Sequence, residues 1–329
     1  MEGARILEKL IAMGTPRWFP GLVGLAALTL LAVAPALVSP FMVQFTINLF
    51  MLAILAESWN IIGGFTGYAS FGNVAFFGIG AYTTGILLTR ASLPLALALP
   101  AAGLAAMLFG VVLGMPILRL KGHYFAIATL GVAETMREIV YNVEITGAGS
   151  GLVMPISRTP LVFFYLMLAI LAAVTLVNWW LSRSRFGYGL IAIREDEDAA
   201  AAMGIHTARY KTVAFALSGT FAGLAGGVFA YWITFIDPDA VFKVIVTIQM
   251  IIMAVFGGAG TIVGPLLGAL VLASVSELLS TQLVTLAELF NGLVVILVVL
   301  FMPKGLADVL GRRAFSLRDL ARNVREYRI

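Results

Sequence analysis

The sequence predicts an all-α, polytopic integral membrane protein of about ten transmembrane helices. Two observations carry this. Hydrophobic residues make up 61% of the 329 residues and charged residues only 12%, about half the charge of a soluble domain. The apolar residues are also gathered into long runs, and a helix needs roughly 20 of them to cross the hydrocarbon core. A surplus of this size exceeds what one soluble core can hide, so part of it faces lipid.

In chain order the runs are 19–38, 41–62, 72–89, 93–116, 124–142, 161–181, 212–233, 244–257, 262–281 and 286–302, with ends placed to about four residues. The third is rich in glycine, the fifth carries charge, and the eighth is short and stops at Gly257-Gly258. Basic residues favour cytoplasmic segments. Ten spans with both termini cytoplasmic put 17 of the 21 Lys and Arg on that side. External segments keep Arg90, Arg158 and Lys243, and Arg137 falls inside a span. Removing one span from the first half would scatter basic segments over both sides. Three regions follow. Segment 1–18 is amphipathic and cytoplasmic, without the apolar core and cleavage site of a signal peptide. Residues 19–302 form the membrane domain, with a cytoplasmic loop at 182–211, and 303–329 is a basic cytoplasmic tail. The basic residues flank apolar runs, so their partner is membrane lipid and no nucleic acid is expected.

Composition removes whole classes of chemistry. With no cysteine there is no disulfide, thiolate metal site or thiol nucleophile. Two histidines, His123 and His206, cannot build a histidine-rich metal cluster. His123 lies beside Lys121 with no nucleophile at hand, which reads as an interfacial structural histidine. No catalytic residue and no metal site is expected. None of Lys9, Lys121, Lys211, Lys243 and Lys304 stands in a P-loop context. If ATP drives this protein, another chain binds it, and no cofactor is expected here.

Glycine is clustered: Gly63-Gly64-Phe65-Thr66-Gly67-Tyr68-Ala69-Ser70-Phe71-Gly72, Thr146-Gly147-Ala148-Gly149-Ser150-Gly151, and Gly257-Gly258-Ala259-Gly260-Thr261-Ile262-Val263-Gly264-Pro265. Such strings fit tight turns between packed helices. They also fit the helix breaks by which transporters present free amides and carbonyls to a solute. The first lies beside Trp59, Asn60 and Asn73, so Trp59, Asn60, Gly63, Gly64, Gly67 and Asn73 are candidates for a translocation path. In the fifth run, Glu134 shares a helical face with Arg137 and Glu138. A charged face in a span points into protein or a wet cavity, as a polar path or as an ion pair between helices. Glu134 and Arg137 join the path candidates, and Glu57 and Glu277 are further carboxylates of the same kind. A proton relay through Glu134 would make a proton-coupled secondary transporter, but an arginine three residues away favours the ionised acid.

The loop between the sixth and seventh runs is the most polar stretch. Residues 195–198 are acidic, as suits a helix N-terminus. Four alanines and Met203 follow, and Gly204 can end the helix. The plan is a short helix with a small face outside the membrane, either a docking element for a partner or an ordinary amphipathic connector. From Arg185-Phe186-Gly187 through Ile193-Arg194-Glu195-Asp196-Glu197 to Ala200-Ala201-Ala202-Met203-Gly204-Ile205, this loop resembles the coupling loop of the branched-chain amino-acid ABC transporter permease family, the LivM type. Lys211, Ala222-Gly223-Leu224-Ala225-Gly226, Gly78-Ile79-Gly80-Ala81-Tyr82, Tyr124-Phe125-Ala126-Ile127-Ala128-Thr129-Leu130-Gly131, Phe256-Gly257-Gly258-Ala259-Gly260-Thr261 and Pro303-Lys304-Gly305-Leu306 also match. The resemblance runs from about 45 to 310. At 72–74 this chain has Gly-Asn-Val, where many relatives carry a glycine-histidine-type pair.

The resemblance implies a type II-importer-like permease subunit of a binding-protein-dependent ABC importer in the bacterial inner membrane. It implies a homologous permease partner, two ATP-binding subunits and an extracytoplasmic solute-binding protein. Arg194, Glu195, Asp196, Glu197, Ala200, Met203 and Gly204 would meet the ATPase. Substrates would be branched-chain or related amino acids, with urea or short amides as the variant. A transient solute contact would use Glu134 for an ammonium and the amides near Gly63–Gly67 for a carboxylate. The rival readings are a proton-coupled secondary amino-acid transporter and a channel, and a channel gives the acidic–alanine loop no role.

Overall fold

The computed structural model describes residues 35, 39–156 and 159–282, with the backbone only at 278–282. Eight of the ten apolar runs fall there, and each is a helix. Helix α1 is Pro40–Trp59 and continues as a π-helical turn, Asn60–Gly64. Then come α2 (Asn73–Thr89), α3 (Leu95–Ile117), α4 (His123–Asn142) and α5 (Pro160–Leu181). Two short helices, α6 (Arg185–Glu195) and α7 (Glu197–Ala202), precede α8 (Thr207–Ile233). The turn α9 (Pro238–Val241), α10 (Val244–Gly257) and α11 (Gly264–Gln282) complete the order. The expected spans at 19–38 and 286–302, the segment 1–18 and the tail 303–329 lie outside the described residues.

Five described stretches are long and apolar enough to cross a membrane: Pro40–Gly64, Leu95–Ile117, Pro160–Leu181, Thr207–Ile233 and Pro238–Gly257. Asn73–Thr89 and Gly264–Glu277 are shorter apolar helices. Helix α4 is in neither group, and it carries Glu134, Arg137 and Glu138. Helix α8 starts at Thr207, five residues ahead of the apolar run at 212, and so takes in Arg209 and Lys211.

Helix α8 packs against α2 and α3. Lipid tails are as apolar as leucine, so helices in a membrane associate by close packing of small residues and by polar contacts. Gly80 of α2 lies against the Gly223 carbonyl of α8, and Gly226 lies against the Phe77 carbonyl. A β-carbon at either would overlap backbone, so only glycine allows this approach. Phe76 packs edge-on against Phe109 and Phe215, with centroids 5.8 and 5.0 Å apart. The Asn73 amide donates to Ser218 Oγ at 2.9 Å, tying α2 to α8, and Val74 N donates to Thr247 Oγ1 at 3.1 Å, tying α2 to α10. A second cluster of small residues, Ala53, Ala56 and Ala269 with Met253, joins α1, α10 and α11.

At the C-terminal end of α8 the middle glycine string forms tight turns. Glu144–Thr146 and Ala148–Ser150 are single 3₁₀ turns, and Gly147 and Gly151 have φ of 81° and 73°. The chain then pairs β1 (Leu152–Val153) antiparallel with β2 (Phe235–Ile236), in the register Leu152↔Ile236.

Candidate functional site

The site lies at the other end of α8, where α6 and α7 meet the two remaining glycine strings. Its local cause is Asp196. The Asp196 carboxylate accepts hydrogen bonds from Asp198 N and Ala199 N, both 2.9 Å, and so caps α7. Asp196 itself is extended, at φ −159°, which separates α6 from α7. Such a cap satisfies amides that the first turn leaves open. Helix α7 ends at Met203, and Gly204 follows in the left-handed region at φ 87°.

Helix α7 is held to the rest of the chain by Glu197. Its carboxylate accepts from Lys211 Nζ at 2.6 Å and from the Tyr68 hydroxyl. Lys211 also donates to the Leu118 carbonyl at 2.8 Å and to Tyr68 Oη at 3.0 Å. Its ammonium lies 4.4 Å from the Tyr68 ring centroid, a cation–π contact. The Lys211 side chain is 3% exposed and that of Glu197 16%. A lysine can begin the apolar helix α8 because this carboxylate neutralises it. Burial alone would raise the Glu197 carboxyl, but the Lys211 and Tyr68 hydrogen bonds outweigh it and hold the group below its ordinary value. Burial, with the bond to Glu197 adding to it, pushes the Tyr68 phenol well above its usual range. Asp198 pairs with Lys121 at 2.7 Å, but both are exposed, so this pair adds little.

Helix α6 reaches the glycine strings through Arg194. Its Nη1 donates to the Gly64 carbonyl at 3.1 Å, in the π-helical turn that ends α1, and its Nη2 pairs with Glu195 at 3.0 Å. Gly67 has φ 73°, and a β-carbon there would stand 2.8 Å from Arg194 Cγ. A β-carbon at Gly260 would stand 2.7 Å from Arg194 Nη1. The two strings are stitched together by Asn60, whose amide donates to the Thr261 carbonyl at 2.9 Å and whose Oδ1 accepts from Gly260 N at 2.7 Å. Arg194 therefore sits on two broken helix ends, α1 into the loop at 65–72 and α10 into α11.

The other expected site residues fall as follows. Trp59 is buried and donates Nε1 to the Ser70 carbonyl at 2.9 Å, and its ring fills the space a side chain at Gly63 would need. Asn73 is buried on Ser218, with Oδ1 unpartnered. Ala200 is buried, Glu195 exposed, and Met203 is 85% exposed. Glu134 and Arg137 do share a face and pair at 3.1 Å, at the opposite end of α8 from Lys211. There Arg137 also holds Glu138 at 3.1 Å and Asp239 of α9 at 3.0 Å. All four are half-buried or exposed on this chain. Tyr68 and Leu118 were not among the expected site residues. The signal for this contact was Lys211, an isolated lysine at the head of an apolar run with an acidic cluster in the preceding loop.

Apolar helices long enough to span a membrane, two helix breaks joined by Asn60, and a capped polar helix seated on them define a polytopic membrane permease. The chain belongs to the family described as branched-chain amino acid transport system permease component, which matches residues 41–302. It is similar to the high-affinity branched-chain amino acid transport system permease protein LivM of Escherichia coli (strain K12), 33% identical over 315 residues that cover 86% of this chain and 74% of the relative. LivM of Salmonella typhimurium is 32% identical over 339 residues, 93% of this chain and 76% of the relative. The autoinducer 2 import system permease protein LsrC of Salmonella paratyphi B is 33% identical over 121 residues, 36% of this chain and 34% of the relative. No solved structure matches the chain. The protein is a multi-pass transport permease of the bacterial inner membrane.

Proposed function

We propose that this chain is the membrane-spanning subunit of a binding-protein-dependent ABC importer for branched-chain or related amino acids. Separate ATP-binding subunits press on α6–α7 from the cytoplasm, and a homologous permease completes the path. An extracytoplasmic binding protein delivers the solute. The observation that carries this is the pair of grips made by α6 and α7: Glu197 on Lys211 of α8, and Arg194 on Gly64 at the α1 break. A push on α7 then moves a spanning helix and two breaks together, which is the rigid-body switching that alternating access needs. The LivM relatives favour branched-chain amino acids, whereas the LsrC match covers 36% of the chain. Urea or short amides are the variant substrates.

Purification from native membranes in mild detergent, with mass identification of what accompanies the chain, tests this. A P-loop ATPase and a second permease are expected. A lone homo-oligomer without a nucleotide-binding chain would overturn it. One feature favours the rival, a proton-coupled secondary transporter: the Glu57 carboxyl is fully buried against the Asn178 amide. Uptake into vesicles on a pH gradient, without ATP, would establish that reading instead.

A further inference from the structure

Glu57 of α1 and Asn178 of α5 are both fully buried, and they meet. The Asn178 amide nitrogen donates to Glu57 Oε2, and also to the Glu57 backbone carbonyl at 3.1 Å. A primary amide has two N–H groups, so both are spent on Glu57. The carbonyl contact also fixes which end of Asn178 is nitrogen, because an oxygen there would face an oxygen. Glu57 Oε1 and Asn178 Oδ1 are left as buried oxygens without a donor. Glu57 makes no ion pair among the described residues.

An ionised Glu57 would leave both oxygens unserved and a charge inside the membrane without a counter-ion, and each is costly. A water between the two oxygens would serve them and leave the charge. One proton on Oε1 removes the charge and supplies the donor that Asn178 Oδ1 lacks. Acid and amide then meet through two hydrogen bonds, N–H to Oε2 and O–H to Oδ1, and no buried group is orphaned.

The place of this pair gives it a role. Glu57 lies seven residues before Gly64, where Arg194 of α6 grips the α1 break. Asn178 lies three residues before Leu181, the end of α5, and the chain enters α6 at Arg185. The α5–α6 corner therefore holds α1 at two points, Asn178 on Glu57 and Arg194 on Gly64. We infer that Glu57 is a protonated positioning residue, whose acid–amide pair with Asn178 makes the end of α1 move as one body with α5 and α6. A relay must pass its proton on, whereas here the proton is part of the clamp. The placing of the proton stands on the two orphan oxygens, and its part in coupling rests on the importer reading.

Infrared spectra of the complete complex in lipid at neutral pH, wild type against Glu57→Gln, test this. The wild type should show a C=O stretch of a protonated carboxyl that the variant lacks. Glutamine puts an N–H where the acid has its O–H, so Glu57→Gln should import leucine on ATP within about twofold of wild type. Asn178→Leu removes the partner and should move the same band to higher frequency, which keeps the test open if Glu57→Gln does not assemble. Spectra in which neither variant changes a protonated-carboxyl band mean that Glu57 is ionised, and overturn the proposal. An assembled Glu57→Gln complex that hydrolyses ATP but no longer imports overturns the clamp, since glutamine copies a held proton and cannot copy a released one. Wild-type vesicles that import on a pH gradient without any ATPase would instead overturn the importer reading itself.

Discussion

Replacing Lys211 with methionine keeps the stem and deletes the ammonium. The ammonium makes hydrogen bonds to Glu197 at 2.6 Å, Leu118 O at 2.8 Å and Tyr68 Oη at 3.0 Å. What remains is a carboxylate with its side chain 16% exposed, held by Tyr68 and Thr207, and a backbone carbonyl without its Lys211 donor. Breaking a buried ion pair on one side costs about 3–5 kcal/mol, because the other charge stays buried. The residual exposure of Glu197 sets the expectation at the lower end, about 3 kcal/mol. At about 1.4 kcal/mol per decade this is roughly a 100-fold rise in the population with α7 detached. Amide hydrogen exchange across 197–204 reads that population directly. The double variant Lys211→Met/Glu197→Gln removes both charges and should return exchange to within about threefold of wild type. An unchanged rate in the single variant, or a double variant as open as the single, would refute the reasoning and leave α7 held by the buried Ala200 and by Arg194.

The same grip has a pH dependence. The Glu197 carboxyl is lowered in the folded chain, so its contribution is complete above the unfolded glutamate value of about 4.3 and is lost as pH falls through the lower folded value. Exchange at 197–204, corrected for intrinsic rates, should stay flat from neutral pH to about 5 and rise only in stronger acid. Asn60→Leu should cost about 2 kcal/mol, since Gly260 N and Thr261 O each lose a partner in a part-buried bond, at the lower end of the roughly 1–3 kcal/mol that an orphaned group costs. Thermal inactivation of the detergent-solubilised protein measures it. Gly80→Ala should abolish assembly, because its β-carbon meets the Gly223 carbonyl, whereas nothing lies within 4 Å of one at Gly131, so Gly131→Ala should be tolerated. Size-exclusion profiles of the two variants compare them. Asp198→Asn breaks only the exposed pair with Lys121 and should leave exchange across 197–204 unchanged.

The eight described apolar runs were legible in the sequence as helices, most to within one or two residues. A bilayer offers no water to backbone amides, so each span must close its hydrogen bonds within itself, and hydropathy alone marks it. The start of α7 was legible from the acidic run at 195–198, whereas the structure showed that Asp196 is the cap, serving amides two and three residues away. The pairing of Glu134 with Arg137 followed from helical spacing, but the sequence could not say that this pair would sit half-exposed beside Asp239. Nor could it tell which of four adjacent acidic residues turns inward. Glu197 does so because Lys211 and Tyr68 meet at that point, while Glu195 and Asp198 stay exposed. Arg194 finds Gly64 across 130 residues and Asn60 finds Gly260 across 200. Such partners carry no local pattern, since each helix is set by its own backbone and hydropathy. Only the packing of α1, α8 and α10 brings them within hydrogen-bond range.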